Sequence, residues 1–144
     1  MHSITRPSPA ATRLSYVNVF ARDHRALLRF YEDLLGFPEL PQWRSPIFGC
    51  LDAGGAILGF HAEQAYDMLA LADRKPQAPA VNVYVTFELV DIAAVDLGVE
   101  RAVALGARII KPQYRTYYDS YQAVLADPEG NVFRLNHELE RVQR

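Results

Sequence analysis

The sequence predicts an α+β domain built from two strand–helix–strands units, whose strands form a cupped mixed sheet with the helices outside. Three observations carry this. The order of strand, helix and further strands occurs twice along the chain. The chain has 144 residues, 50% hydrophobic and 22% charged, which suits one folded domain and excludes a long disordered chain. Each half spans only about 60 residues, too few to bury a good core alone, so the halves must share one.

The elements follow in order. Residues 14–21 (LSYVNVFA) are rich in β-branched and aromatic residues and read as a strand. Asp23 then opens a helix in which Leu27, Leu28, Tyr31, Leu34 and Leu35 form one apolar stripe. Asp23 suits its N-cap and Gly36 its C-terminal stop. Pro38 and Pro41 break the chain. Residues 46–52 and 56–61 read as two strands joined through Ala53-Gly54-Gly55 as a hairpin. Residues 64–72 suit one or two helical turns, and the Pro-containing stretch DRKPQAPA suits a linker or mobile loop. Residues 81–89 (VNVYVTFEL) form the clearest strand pattern. A helix over 92–105 ends at Gly106, and 108–111, 121–126 and 131–137 read as strands. Asp127-Pro128-Glu129-Gly130-Asn131 is a turn signal between the last two. The units run over about 14–63 and 81–138, with 64–80 as linker, 1–13 as a Pro- and Ser-rich arm and 139–144 as a tail.

Composition narrows the function. The formal net charge is -2, which gives no attraction to phosphate backbones and argues against nucleic-acid binding. No apolar run reaches the roughly 20 residues of a membrane span. The single cysteine, Cys50, sits in an apolar stretch and reads as a buried small side chain. The N-terminus lacks the apolar core of a secretory signal, so the expected location is cytoplasmic.

Alternation sorts the strands into faces. Val17, Val19 and Ala21 share one side of the first strand; Tyr16, Asn18 and Phe20 share the other. Val81, Val83, Val85, Phe87 and Leu89 are expected to pack under the helices, with Asn82, Tyr84, Thr86 and Glu88 opposite. In the last strand Phe133 and Leu135 oppose Val132, Arg134 and Asn136. A sheet with a solvated back would alternate in the same way. The tyrosines and asparagines on these faces favour a ligand surface.

VNVFARD followed by FYEDLLGF, a second strand–helix unit, and then DPEGNVFRL resembles the vicinal oxygen chelate superfamily over residues 14–138. That group includes glyoxalases, extradiol dioxygenases and bleomycin-resistance proteins. The resemblance implies paired βαβββ modules forming a cupped sheet. It also implies metal-ligand positions at Tyr16, seven residues before Asp23; at Tyr84, three before Phe87; and at Arg134, seven after Asp127. The remaining position falls near Gly59, with His61 on the same face. Tyr, Tyr and Arg stand where His, His and Glu are usual. A guanidinium has no lone pair to donate and repels a cation. The expectation is therefore no metal at this place, and no cofactor.

The leading expectation is a metal-independent binding protein that holds a planar, anionic small molecule in the cup. Arg134 would pair its charge, Tyr16 and Tyr84 would stack on it, and Asn18 and Asn136 would orient it. Trp43 and Tyr121, with Tyr114, Tyr117 and Tyr118, would rim the cup. Alternatives stay open. Arg134 can form an internal salt bridge with Glu88, and the tyrosines can fill the cup of a purely structural dimer. His61 can be a structural histidine or a general base in a lyase, isomerase or oxygenase, there alone or with Glu88 as displaced ligands. The resemblance also implies a homodimer.

Overall fold

Asp23 and Gly36 bracket the first helix as their chemistry requires. In the computed structural model, which describes residues 5–139, α1 runs His24–Leu35. The Asp23 carboxylate accepts from the Ala26 amide at 3.0 Å. Gly36 closes the helix at φ 76°, a left-handed conformation that glycine adopts without steric cost. Asp91 caps α3 (Ile92–Ala104) in the same way. The strands are β1 (Tyr16–Ala21), β2 (Phe48–Asp52), β3 (Ile57–Ala62), β4 (Val85–Glu88), β5 (Arg108–Arg115), β6 (Ser120–Ala126) and β7 (Val132–Glu138). The 64–80 stretch holds the short helix α2 (Ala65–Met68) and a 3-10 turn, Ala72–Arg74.

The ladders repeat between the units. The first sheet has the order β1-β3-β2 and the second β4-β7-β6-β5. In each, the first strand runs parallel to the last. The cupped mixed sheet expected from the sequence is made of these two sheets, with no ladder between them among the described residues. The first unit's missing edge strand survives as one antiparallel bridge, Glu39↔Leu51. Pro38 and Pro41 flank it, and proline has no amide to continue a ladder. Arg25 of α1 pairs with Glu39 and pins this edge to the helix, and Arg44 pairs with the same carboxylate.

The clearest strand pattern is only half used. Residues 81–84 stay outside β4, and Val81 and Val83 are exposed rather than packed under the helices. The register explains this. Val85 pairs with Phe133, and β7, the sole partner of β4, begins one residue earlier at Val132. Residues before 85 have no ladder to join.

The units share a core centred on Tyr31. Its ring lies 5.7 Å from Phe60 of the first sheet and 5.8 and 5.5 Å from Phe87 and Phe133 of the second. Its hydroxyl donates to the Asp127 carboxylate at 2.7 Å, and both residues are buried. The 127–131 turn returns the contact, because Glu129 accepts from the Arg22 and Asp23 amides at the entry to α1. The spacing of FYEDLLGF and DPEGN thus encodes the joint between the units.

Candidate functional site

The β4–β7 ladder places Thr86 opposite Arg134 and Glu88 opposite Asn136. On the other side of β7, β6 places Gln122 opposite Asn136. These side chains share the face away from the helices. They open a cavity of about 410 Å³ whose lining includes Thr86, Glu88, Tyr118, Asp119, Arg134 and Asn136.

Arg134 is fixed in this cavity by neutral groups. Its Nε donates to Thr86 at 2.9 Å, and its Nη1 donates to Tyr118 Oη and Gln122 Oε1, each at 3.1 Å. The guanidinium carbon lies 4.9 Å from the centre of the Tyr84 ring, a cation–π contact. Gln122, itself buried, donates onward to Tyr114 Oη at 2.6 Å. Among the described residues no carboxylate forms an ion pair with Arg134, so the internal salt bridge with Glu88 does not form. Glu88 spends its oxygens elsewhere, accepting from Asn136 Nδ2 and from the Glu138 amide at 2.7 Å each. The Asn136 amide orientation follows, since the reverse would set oxygen against carboxylate. Its Oδ1 is then a buried acceptor with no donor among the described residues.

The first sheet presents a different surface at matching positions. Phe20, Phe48 and His61 occupy the places of Glu88, Gln122 and Asn136. The His61 ring lies 5.2 Å from Phe20 and 5.0 Å from Phe48, and Phe20 stacks on Tyr66 at 3.9 Å. Gly59 stands where the second unit has Arg134. A Cβ there would collide with Asn18 Oδ1 and the Phe48 ring, so this half is closed by its own side chains. His61 Nδ1 and His24 Nε2 are buried without hydrogen-bond partners among the described residues. Burial, and then the charge of His24, hold the His61 pKa below its ordinary value, so the ring is neutral at working pH.

The residues singled out from the sequence therefore separate. Arg134, Asn136 and Tyr84 come together, and Tyr118 joins them. Tyr16 and Asn18 lie on β1, and His61 on β3, all outside the lining of the Arg134 cavity. Tyr16 and Tyr84 are 40% and 48% exposed, so they do not fill a closed cup. Trp43 sits half-exposed in the Pro41–Trp43 turn, away from the cavity. Tyr121 turns to the helical side, where its hydroxyl donates to Asp96 of α3 at 2.6 Å. The cavity-facing residues of β6 are Ser120 and Gln122 instead. Tyr118, expected at the rim, is part of the lining, whereas Thr86 and Gln122 were not named as site residues. The period-two alternation of Ser120 and Gln122 against Tyr121 and Ala123 carried that signal.

The positions that the resemblance assigns to a metal are Tyr16, Gly59, Tyr84 and Arg134. One has no side chain, and another is a cation held by hydrogen-bond acceptors. Among the described residues no three His, Cys, Asp or Glu side chains are grouped so that they could hold an ion. These residues do not fit the metal that the fold implies.

The fold of two paired modules defines a class of protein, and comparison with known proteins identifies that class. The family model described as Glyoxalase/Bleomycin resistance protein/Dioxygenase superfamily matches residues 13–135, and the chain belongs to that family. The crystal structure of a glyoxalase/bleomycin resistance protein/dioxygenase family enzyme from Burkholderia phytofirmans PsJN is 45% identical. It is covered completely by 89% of this chain at a TM-score of 0.85. A glyoxalase-related enzyme from Fulvimarina pelagi (19% identity, 87% of each chain, TM-score 0.75) shares the fold. So does lactoylglutathione lyase from Agrobacterium tumefaciens (23% identity, 90% of this chain and 96% of that one, TM-score 0.66). No curated protein matches the chain. No helix among the described residues is long and apolar enough to cross a membrane.

Proposed function

We propose that this chain is a metal-independent binding protein that holds a small planar anion in the cup of its second unit. One observation carries the reading: Arg134 is a buttressed guanidinium with no carboxylate partner among the described residues, at the position the resemblance gives to an acidic metal ligand. Thr86, Tyr118 and Gln122 orient it without neutralising it. A positioned guanidinium of this kind recognises carboxylate or enolate oxygens through paired hydrogen bonds. The exposed part of the Tyr84 ring and the Tyr118 ring offer flat surface beside it. We further propose a homodimer, in which a second copy covers the exposed Val81 and Val83.

A thermal-shift screen of planar aromatic carboxylates tests the reading. Arg134→Ala is expected to abolish the shift, because a hydrogen bond to a charged group contributes about 1.5–3 kcal/mol. An unchanged shift in that variant overturns the proposal. A second reading, acid–base catalysis by His61, draws on its neutral ring and on an Nδ1 with no hydrogen-bond partner among the described residues. His61→Ala separates the two: it spares ligand binding in the first reading and abolishes turnover in the second.

A further inference from the structure

We infer that the ligand of the Arg134 cup is a zwitterion, carrying a protonated amine as well as an acid group. The inference rests on the anion-binding reading and adds the other end of the molecule. The cavity that holds Arg134 is not a plain cationic pocket, because Glu88, Glu138 and Asp119 also line it. A simple anion would sit against Arg134 while facing the Glu88 carboxylate, and like charges in a partly desolvated cleft oppose its binding.

The carboxylates are not equivalent. Asp119 is already paired with Arg115 at 2.8 Å. Glu88 is held rigidly by the Asn136 side chain and the Glu138 amide, yet its side chain remains half exposed to the cavity. Those two bonds use one lone pair on each oxygen, and the others remain for a ligand. Beside it stands Asn136 Oδ1. Asn136 is 6% exposed, it lines the cavity, and no described residue donates to this oxygen. A buried acceptor without a donor calls for one from elsewhere. Acceptors therefore gather at the Glu88–Asn136 rung, and donors at the neighbouring Thr86–Arg134 rung. Two residues along a strand is about 7 Å. An acid bound to Arg134 and an ammonium bound to Glu88 are thus within reach of one small molecule.

Three probes with the same ring test this by calorimetry: phenylalanine, 3-phenylpropionate and phenethylamine. Phenylalanine is expected to bind about tenfold more tightly than 3-phenylpropionate, the weight of one charge-assisted hydrogen bond. Glu88→Gln is expected to erase that preference and to strengthen 3-phenylpropionate. Glu138→Gln, which keeps the Glu88–Asn136 bond, is expected to reduce the preference without erasing it. If 3-phenylpropionate binds as tightly as phenylalanine, the zwitterion inference fails and the anion reading stands. If phenethylamine binds most tightly, or none of the three binds, the anion reading fails and the inference falls with it.

Discussion

Tyr31→Phe removes one oxygen atom from the joint between the two units and leaves the ring in place. The lost contact is the 2.7 Å hydrogen bond to Asp127. Asp127 keeps its bonds from the Glu129 and Asn131 amides and from the Asn131 side chain, so the carboxylate is weakened and not orphaned. Hydrogen bonds to charged groups contribute about 1.5–3 kcal/mol, and the remaining donors point to a loss of about 2 kcal/mol at neutral pH. The loss also depends on pH. Burial raises the Asp127 pKa above its ordinary value, and the bonds from Tyr31 and Asn131 pull against that rise. The folded chain therefore holds this proton more tightly than the unfolded chain. The carboxyl contributes fully to stability below the ordinary aspartate pKa, and that contribution is lost as pH rises through the raised folded value. Removing the hydroxyl raises the folded pKa further, so the cost of the mutation grows as pH rises across that window. Urea unfolding of both proteins followed by circular dichroism, at about pH 4 and about pH 8, measures this. A stability difference that is the same at both pH values, or that shrinks as pH rises, refutes the reasoning.

Two further outcomes test the site. Gly59→Ala is expected to destabilise the fold by about 1–3 kcal/mol through overpacking against Asn18 and Phe48, with partial recovery in the Asn18→Ala background; denaturant midpoints decide it. Addition of Mn, Ni or Zn ions, or chelator treatment of freshly purified protein, is expected to leave the Tm unchanged, because only a ligand that binds the folded state shifts it. A concentration-dependent rise with one ion would reverse the reading of Tyr84 and Arg134.

The helix caps and the last turn were the most legible parts of the chain, although the contacts they make between the units were not. Asp23, Gly36 and the 127–131 turn act through local rules of capping and turn chemistry, which depend on near neighbours alone. The lengths of β4 and β5 were less legible, because a strand's extent is set by its partner. Residues 81–84 have the composition of a strand and lack a ladder, whereas β5 runs four residues beyond its expected end because β6 continues alongside it. In the site, Arg134 and Asn136 followed from alternation on β7. Tyr121 did not, since the facing of β6 is fixed by its register with β7 and had not been read from Ser120 and Gln122. The separation of His61 from Arg134 lies beyond any sequence pattern: it depends on which faces the helical core turns outward.

The repeated ladder makes each half of this protein a control for the other. On one register the backbone carries Gly59 in the first half and Arg134 in the second, with His61 answering Asn136, Phe20 answering Glu88, and Phe48 answering Gln122. One set packs into an aromatic wall, and the other holds open a charged basin. The same hydrogen-bonded frame supports both, so chemical identity here resides in four interchangeable side chains and not in the scaffold. A protein built this way can acquire a new ligand in one half while the other half keeps the fold in register.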